Sequence, residues 1–390
     1  MSHSKYSGID GASKHEHLSD EGFEASQNAL VTLIGQSIEH EKNPETTLHR
    51  PSTKSSGWLH SIFPESYLEK METSWHMGNY VIDRRTGERI FEAMSLYVRV
   101  GMHLLYYGSQ QEKALHWKKT MDLLEAQTRK MGEEYDKPES KAHIPKFIES
   151  FQLQDSLADL EEPDPSAYPT FNAFFTRRIR PSARPIHDPH SNYILSSPAD
   201  SRLTAYPTID LATKYWIKGR GFSIESLLGS AKRARQFDRG SMIIARLAPQ
   251  DYHRWHSPCD GTVERITEIP GAYYTVNPQA VNEAGTLDVF CENRRSVMIM
   301  HRSATNSPVA IVAVGAMLVG SIRYEDGVVV GADVRRGQCL GAFLYGGSTV
   351  IVVVPRGEVK LDEDLVRNSM ADVPCETLMR VGWRVGAGPT

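Results

Sequence analysis

The sequence predicts an α+β protein, an N-terminal helical layer followed by a β-rich domain. Three observations carry that prediction. Between Gly57 and residue 165, apolar residues recur at helical spacing. Beyond the proline-rich stretch 161–170, EEPDPSAYPT, short β-branched runs alternate with Gly and Pro. One of these runs, Val350 to Val354, is purely β-branched and follows the paired glycines Gly346 and Gly347.

Taken in order, residues 1–56 are polar, with scattered charges and Ser, His and Lys clusters. A disordered tail is expected there, with some helical periodicity from Asn28 to Ile38. Residues 57–165 form the helical region. Trp58, Ile62, Phe63, Tyr67, Leu68 and Met71 read as an amphipathic segment, packed on its own domain or laid on a membrane or partner. Asp83 to Gly87 is turn-like, and Ile90, Met94, Tyr97, Val98, Gly101 and Leu105 then follow helical spacing. Trp117, Met121 and Leu124 mark a second helix. Ile144 to Phe151 marks a third, with Pro145 tolerated in its first turn. Residues 166–390 form the β-rich domain. Its strands include Ser241 to Leu247, Gly261 to Ile269, Ser296 to Met300 and Val309 to Val314, a pattern of mostly antiparallel pairing.

Composition narrows the function classes. A net charge of −4 over 390 residues gives no case for nucleic-acid binding. Cys259, Cys291, Cys339 and Cys375 are widely spaced and lack a C-x-x-C pair, so neither a disulfide framework nor a zinc site is indicated. Reduced thiols and a cytoplasmic setting are the simplest reading. The N-terminal stretch has no apolar core of the kind a signal peptide needs, and its early acidic residues do not suit a transit peptide. The longest apolar runs fall short of the ~20 residues that span a bilayer, so membrane contact is expected to be peripheral.

The candidate chemistry gathers around Ser348, where a Gly-Gly turn enters a core strand. Paired glycines permit positive φ and close approach of another group to the backbone. Asp200 lies in SSPADS, and Asp251, His253 and His256 lie in LAPQDYHRWHSPCDG. Flanking Tyr252, Trp255 and Pro258 suggest a shaped pocket around the two histidines. With Cys259 those histidines also invite a metal reading, which lacks a fourth ligand at familiar spacing. His187 and His190 sit in a Pro-flanked loop and read as surface residues. Ser348, a histidine and Asp200 can form a nucleophile–base–orienter set. A serine hydrolase is disfavoured, because Val350 stands where a G-x-S-x-G elbow has its last glycine.

FNAFFTRRIRPSARPI, SSPADS, KGRGFSIESLLG, LAPQDYHRWHSPCDGTVE, YYTVNPQAVN, FCENRR, VGAMLVGSI, LGAFLYGGST and ETLMRVGWRVG occur in that order. Together they resemble the successive signatures of phosphatidylserine decarboxylases. DRRTGERI through LLYYG, and KAHIPKFIESF, resemble the helical region of the extended eukaryotic type, so the likeness runs from about residue 78 to 388. The upstream calcium- and lipid-binding modules of many such proteins have no counterpart in the sequence. Ser201 stands where the family usually has glycine after the aspartate.

The resemblance implies a β-rich catalytic domain that processes itself and uses a pyruvoyl cofactor made from Ser348. The cut falls between Gly347 and Ser348, giving chains 1–347 and 348–390. Ser348 Oγ attacks the Gly347 carbonyl, the ester eliminates to dehydroalanine, and hydrolysis leaves pyruvoyl and ammonia. His256, oriented by Asp200, is the implied base for this cut, and His253 is linked to decarboxylation. The ketone then condenses with a substrate amine and accepts the electrons left by CO2, as PLP does elsewhere. The expected reaction converts phosphatidylserine to phosphatidylethanolamine, in a homodimer, at the surface of an endomembrane. Trp58, Ile62, Phe63, Tyr67 and Leu68 would supply interfacial contact. Arg177, Arg178, Arg180 and Arg184 would either attract anionic lipid or form an ion-paired face. The alternatives are a soluble decarboxylase of a free, for instance aromatic, amino acid on the same fold, and a non-catalytic interaction protein that kept the scaffold.

Overall fold

The structure is a computed structural model. It describes residues 78–93, 114–219, 221–276, 278–281, 287–316, 321–346 and 348–388, and a few residues between 24 and 32. The apolar segment from Trp58 to Met71 and the run from Met94 to Leu105 lie outside the described residues, as does Gly347.

The chain opens with a hairpin, Gly78–Asp83 (β1) and Arg89–Ala93 (β2). Next come Ile194–Ser196 (β3), Ser201–Tyr206 (β4), Ser241–Leu247 (β5), Arg254–His256 (β6) and Gly261–Ile269 (β7). Arg295–Arg302 (β8), Pro308–Gly315 (β9), Ile322–Tyr324 (β10), Asp333–Val334 (β11) and Cys339–Phe343 (β12) follow. Ser348–Val354 (β13), Lys360–Leu361 (β14), Glu376–Met379 (β15) and Arg384–Ala387 (β16) complete the set. Ten strands join in one sheet, in the order β11-β7-β8-β9-β13-β5-β4-β15-β1-β2. Pairing in it is antiparallel except between β1 and β15. Two three-stranded sheets, β10-β12-β6 and β14-β16-β3, flank it.

Strand β13 is central, bonded to β5 on one side and β9 on the other, and all seven of its residues are buried. Its unbroken β-branched run follows from this, because both faces of the strand are covered. Val350, Val352 and Val354 enter one core with Leu203, Trp255 and Met300. Ile351 and Val353 enter a second core with the helical layer, including Tyr135, Phe147, Phe171 and Phe175. The helices Ala114–Tyr135 and His143–Ser150 occupy the positions expected from Trp117–Leu124 and Ile144–Phe151. They share this core with the sheet.

The N-terminal region also carries strands. Ile90, read above as helical, pairs with Val81 in the β1–β2 hairpin. The turn-like DRRTG stretch closes it: Asp83 Oδ1 accepts from Arg85 N at 2.9 Å, and Gly87 takes φ 74°. Pairing of β1 with β15, remote in sequence, overrides the local helical spacing.

Candidate active site

Ser348 is the first residue of β13, and its side chain is fully buried. Leu344 to Gly346 lead into it over an aromatic bed. The Tyr345 ring packs edge-on against Tyr135, Phe171 and Phe175, and Tyr345 N donates to Asn172 Oδ1 at 3.1 Å. Gly346 takes φ 133°, a conformation open to glycine and strained for any other residue. These contacts fix the approach to residue 348.

His253 closes on the serine from the β5–β6 loop. Two features shape that loop: Asp251 Oδ2 accepts from Ala248 N at 2.7 Å, and the same carboxylate pairs with Arg202. Phe343 N donates to His253 O at 2.9 Å, and Phe175 stacks on the imidazole with centroids 4.0 Å apart. His253 Nδ1 lies 3.4 Å from Ser348 Oγ, a long contact of the kind that tightens on reaction. Its Nε2 lies 3.0 Å from Ala248 O. A carbonyl only accepts, so Nε2 carries the proton and Nδ1 presents a lone pair to the serine hydroxyl. Burial, aided by the nearby Arg177 charge, lowers the His253 pKa to about 3, so the imidazole is neutral at physiological pH. The pair is therefore a hydroxyl facing a neutral base, both fully buried.

His256 and Ser348 share no hydrogen bond. Its Nδ1 donates to Gly337 O at 2.8 Å, and its Nε2 faces the Tyr252 hydroxyl at 3.3 Å. Burial lowers its pKa too, while the nearby Asp200 charge works the other way. Burial raises the pKa of Tyr252, which keeps its phenol protonated and able to donate to His256. Asp200 makes no hydrogen bond to His256. Its carboxylate takes Arg184 Nε at 2.9 Å, Arg184 Nη2 at 2.7 Å and Val381 N at 2.8 Å. In this structure the hydrogen-bond partners of His256 are Gly337 and Tyr252, and those of Asp200 are Arg184 and Val381. Ser201 fits without disturbing this turn: it is buried, its hydroxyl donates to Ala199 O at 3.3 Å, and it begins β4.

The arginine cluster resolves mostly as ion pairs and carbonyl contacts. Arg178 pairs with Glu325, Arg184 with Asp159 and Asp200, and Arg180 donates to Ala158 O. Arg177 is buried and bonds only carbonyls. His187 and His190 are exposed. Cys259 is buried, and among the described residues no three His, Cys, Asp or Glu side chains converge as metal ligands. Sequence reasoning did not reach the Phe175 stack, the Ala248 carbonyl or the burial of Arg177, which depend on tertiary packing. The YHRWH spacing did mark Tyr252 as part of a pocket wall.

The model of the phosphatidylserine decarboxylase family matches residues 171–387, a span that holds Asp200, both histidines and Ser348. The chain belongs to the phosphatidylserine decarboxylase family. It is 44% identical over 308 residues to phosphatidylserine decarboxylase proenzyme 3 of Schizosaccharomyces pombe, covering 78% of this chain and 30% of that protein. It is 40% identical over 339 residues to phosphatidylserine decarboxylase proenzyme 2 of Oryza sativa subsp. japonica, covering 85% of this chain and 53% of that protein. It is 33% identical over 308 residues to the phosphatidylserine decarboxylase proenzyme of Fusobacterium nucleatum, covering 78% of this chain and 96% of that protein. The match thus covers 30% to 53% of the two eukaryotic relatives' length and nearly all of the bacterial one. Among the described residues no helix of this family member is long and apolar enough to cross a membrane.

Proposed function

We propose that this chain cleaves itself between Gly347 and Ser348 and then decarboxylates phosphatidylserine to phosphatidylethanolamine and CO2. The observation that carries the reading is Ser348 buried at the head of a central strand with the neutral His253 Nδ1 3.4 Å from its hydroxyl. Family membership supports the reaction class.

Residue 348 suits a pyruvoyl group. It is fully buried and held between β5 and β9, opposite Leu247 and Gly315. Such a group supplies a ketone that takes the substrate amine and draws in the electron pair left by CO2. The remaining work falls to the protein. His253 Nδ1 can accept a proton from the incoming ammonium, so that the amine becomes nucleophilic. The same nitrogen then holds that proton beside the reacting carbon and returns it after CO2 leaves. The Phe175 stack and the Ala248 carbonyl keep the ring in this tautomer. Burial of His253 and Ser348 limits access of water that would compete as proton donor.

For self-cleavage we propose Ser348 as nucleophile with His256 and Asp200 as its supporting pair. The family resemblance supports that pair. In this structure His256 rests on Gly337 and Tyr252, so cleavage requires it to leave that position or to act through the Tyr252 hydroxyl. The products would be residues 1–347 and 348–390, associated through the β13 pairings. A cytoplasmic protein meeting the bilayer from its surface, as a homodimer, completes the proposal.

The test is a denaturing gel paired with CO2 release from liposomes and from a panel of free amino acids. Two bands and turnover of phosphatidylserine are expected. A single active band would remove the pyruvoyl mechanism, and turnover of a free amino acid alone would make the soluble decarboxylase the correct reading.

A further inference from the structure

A cavity of about 270 Å³ lies beside the candidate site, sharing Arg177 and Tyr252 as wall residues. Three aspartates line it, and each is already matched with an arginine. Asp83 pairs with Arg85 at 3.1 Å, Asp200 with Arg184 at 2.7 Å, and Asp251 with Arg202. Two more arginines in the wall, Arg177 and Arg380, have no carboxylate within ion-pair distance among the described residues. Arg177 is 5% exposed, and its guanidinium donates only to the carbonyls of Phe174, Gln250 and Asp251. Buried charges are normally paired, since an isolated one is costly in a low-dielectric interior. Arg184 and Arg202 are each held by a second carboxylate, Asp159 and Glu92, so the buried charge in this wall without a direct carboxylate partner is Arg177.

We infer that Arg177, with Arg380, binds the phosphodiester of the substrate head group. The inference rests on the decarboxylase reading for the identity of the anion. The choice between the two anions of the substrate follows from the reaction. A guanidinium on the carboxylate would stabilise the ground state and lose its partner as CO2 departs, which raises the barrier. On the phosphodiester the charge is unchanged through the reaction, so the contact contributes equally before and during it. One methylene and one ester oxygen separate that phosphorus from the carbon bearing the amine. Arg177 reaches the loop that carries His253, donating to the carbonyls of Gln250 and Asp251, three and two residues before it. Arg177 is near enough for its charge to weigh on His253. The planar fork of arginine suits two phosphate oxygens better than lysine does.

The experiment compares cleaved wild type with Arg177→Gln, Arg177→Lys and Arg380→Gln. Calorimetric titration would use glycerophosphoserine and inorganic phosphate, with O-acetylserine as the phosphate-free comparator. CO2 release from phosphatidylserine liposomes would be followed in parallel. Arg177→Gln should weaken glycerophosphoserine binding about tenfold or more and raise KM with little change in kcat. Binding of O-acetylserine should be unchanged, and Arg177→Lys should fall between, which guards against a folding defect in the glutamine variant. Glycerophosphoserine affinity equal to wild type in Arg177→Gln, or an equal loss for O-acetylserine, would overturn the assignment. Phosphate-selective loss of binding without CO2 release by wild type would uphold the anion site and refute the decarboxylase reading. CO2 release with Arg177→Gln kinetics equal to wild type would do the reverse.

Discussion

Replacing His253 with alanine tests the contact on which the site is built. The ring makes three interactions, so the cost divides into a chemical and a structural part. Removing a positioned proton-transfer group typically lowers turnover about 10²–10⁴-fold, equivalent to about 3–5 kcal/mol of barrier. Structurally, the Ala248 carbonyl loses its donor, about 1–3 kcal/mol, and the Phe175 stack is lost, about 0.5–1.5 kcal/mol. A His253→Gln variant keeps an amide that can face Ala248 and should recover part of the stability but none of the proton transfer. Each variant would be run on a denaturing gel for the cleaved fraction, melted by calorimetry, and assayed for CO2 release normalised to cleaved chain. The expected result is cleaved, folded protein with turnover reduced at least a hundredfold in both variants. Normalised turnover within tenfold of wild type would refute the proton-transfer role. Failure of both variants to cleave, with their folds intact, would show that the 3.4 Å contact to Ser348 serves the cut.

Further outcomes follow from the same geometry. His256→Ala and Ser348→Ala should each run as one full-length band; normal maturation of His256→Ala would remove that histidine from the cut. Gly346→Ala, forced toward φ 133°, should cost about 1–3 kcal/mol and slow cleavage; a time course matching wild type would show the turn is not strained. His253 has its pKa lowered to about 3 from 6.5, so the unfolded chain binds the proton first as pH falls. Stability conferred by the neutral ring is thus complete above pH 6.5 and is lost as pH drops towards 3. Between pH 6.5 and 5 this amounts to about 2 kcal/mol. Melting temperature should fall over that window, and less steeply in His253→Gln; parallel slopes would contradict the buried neutral assignment.

The strands were legible where a physical pattern is local. Val350 to Val354 announces a strand covered on both faces, and Ser241 to Leu247 its neighbour, because β-branched runs suit that environment whatever the rest of the chain does. The hairpin at Tyr80 and Ile90 was not legible, because its strand state depends on pairing with Glu376 to Leu378 at the other end of the chain. The site divides the same way. Gly346, Ser348 and the two histidines stood out by residue type, whereas their arrangement was set by groups without a sequence signature, the carbonyls of Ala248 and Gly337.

Arg177 and Arg184 show why charge is hardest to read from a sequence. Both stand in FFTRRIRPSAR, and both could serve as solvated lysine-like charges on a surface. The fold separates them: Arg184 finds Asp200 and Asp159, while Arg177 turns inward among carbonyls beside the cavity. The helix Phe171–Phe175 makes that difference. Its buried aromatic face fixes where residue 177 emerges, and the same face carries Phe175 beneath His253. A substitution that loosened this helix, such as Phe171→Ala, would therefore disturb the imidazole and the Arg177 guanidinium together. The imidazole and the guanidinium thus rest on one packed element, and no spacing of polar residues records that link.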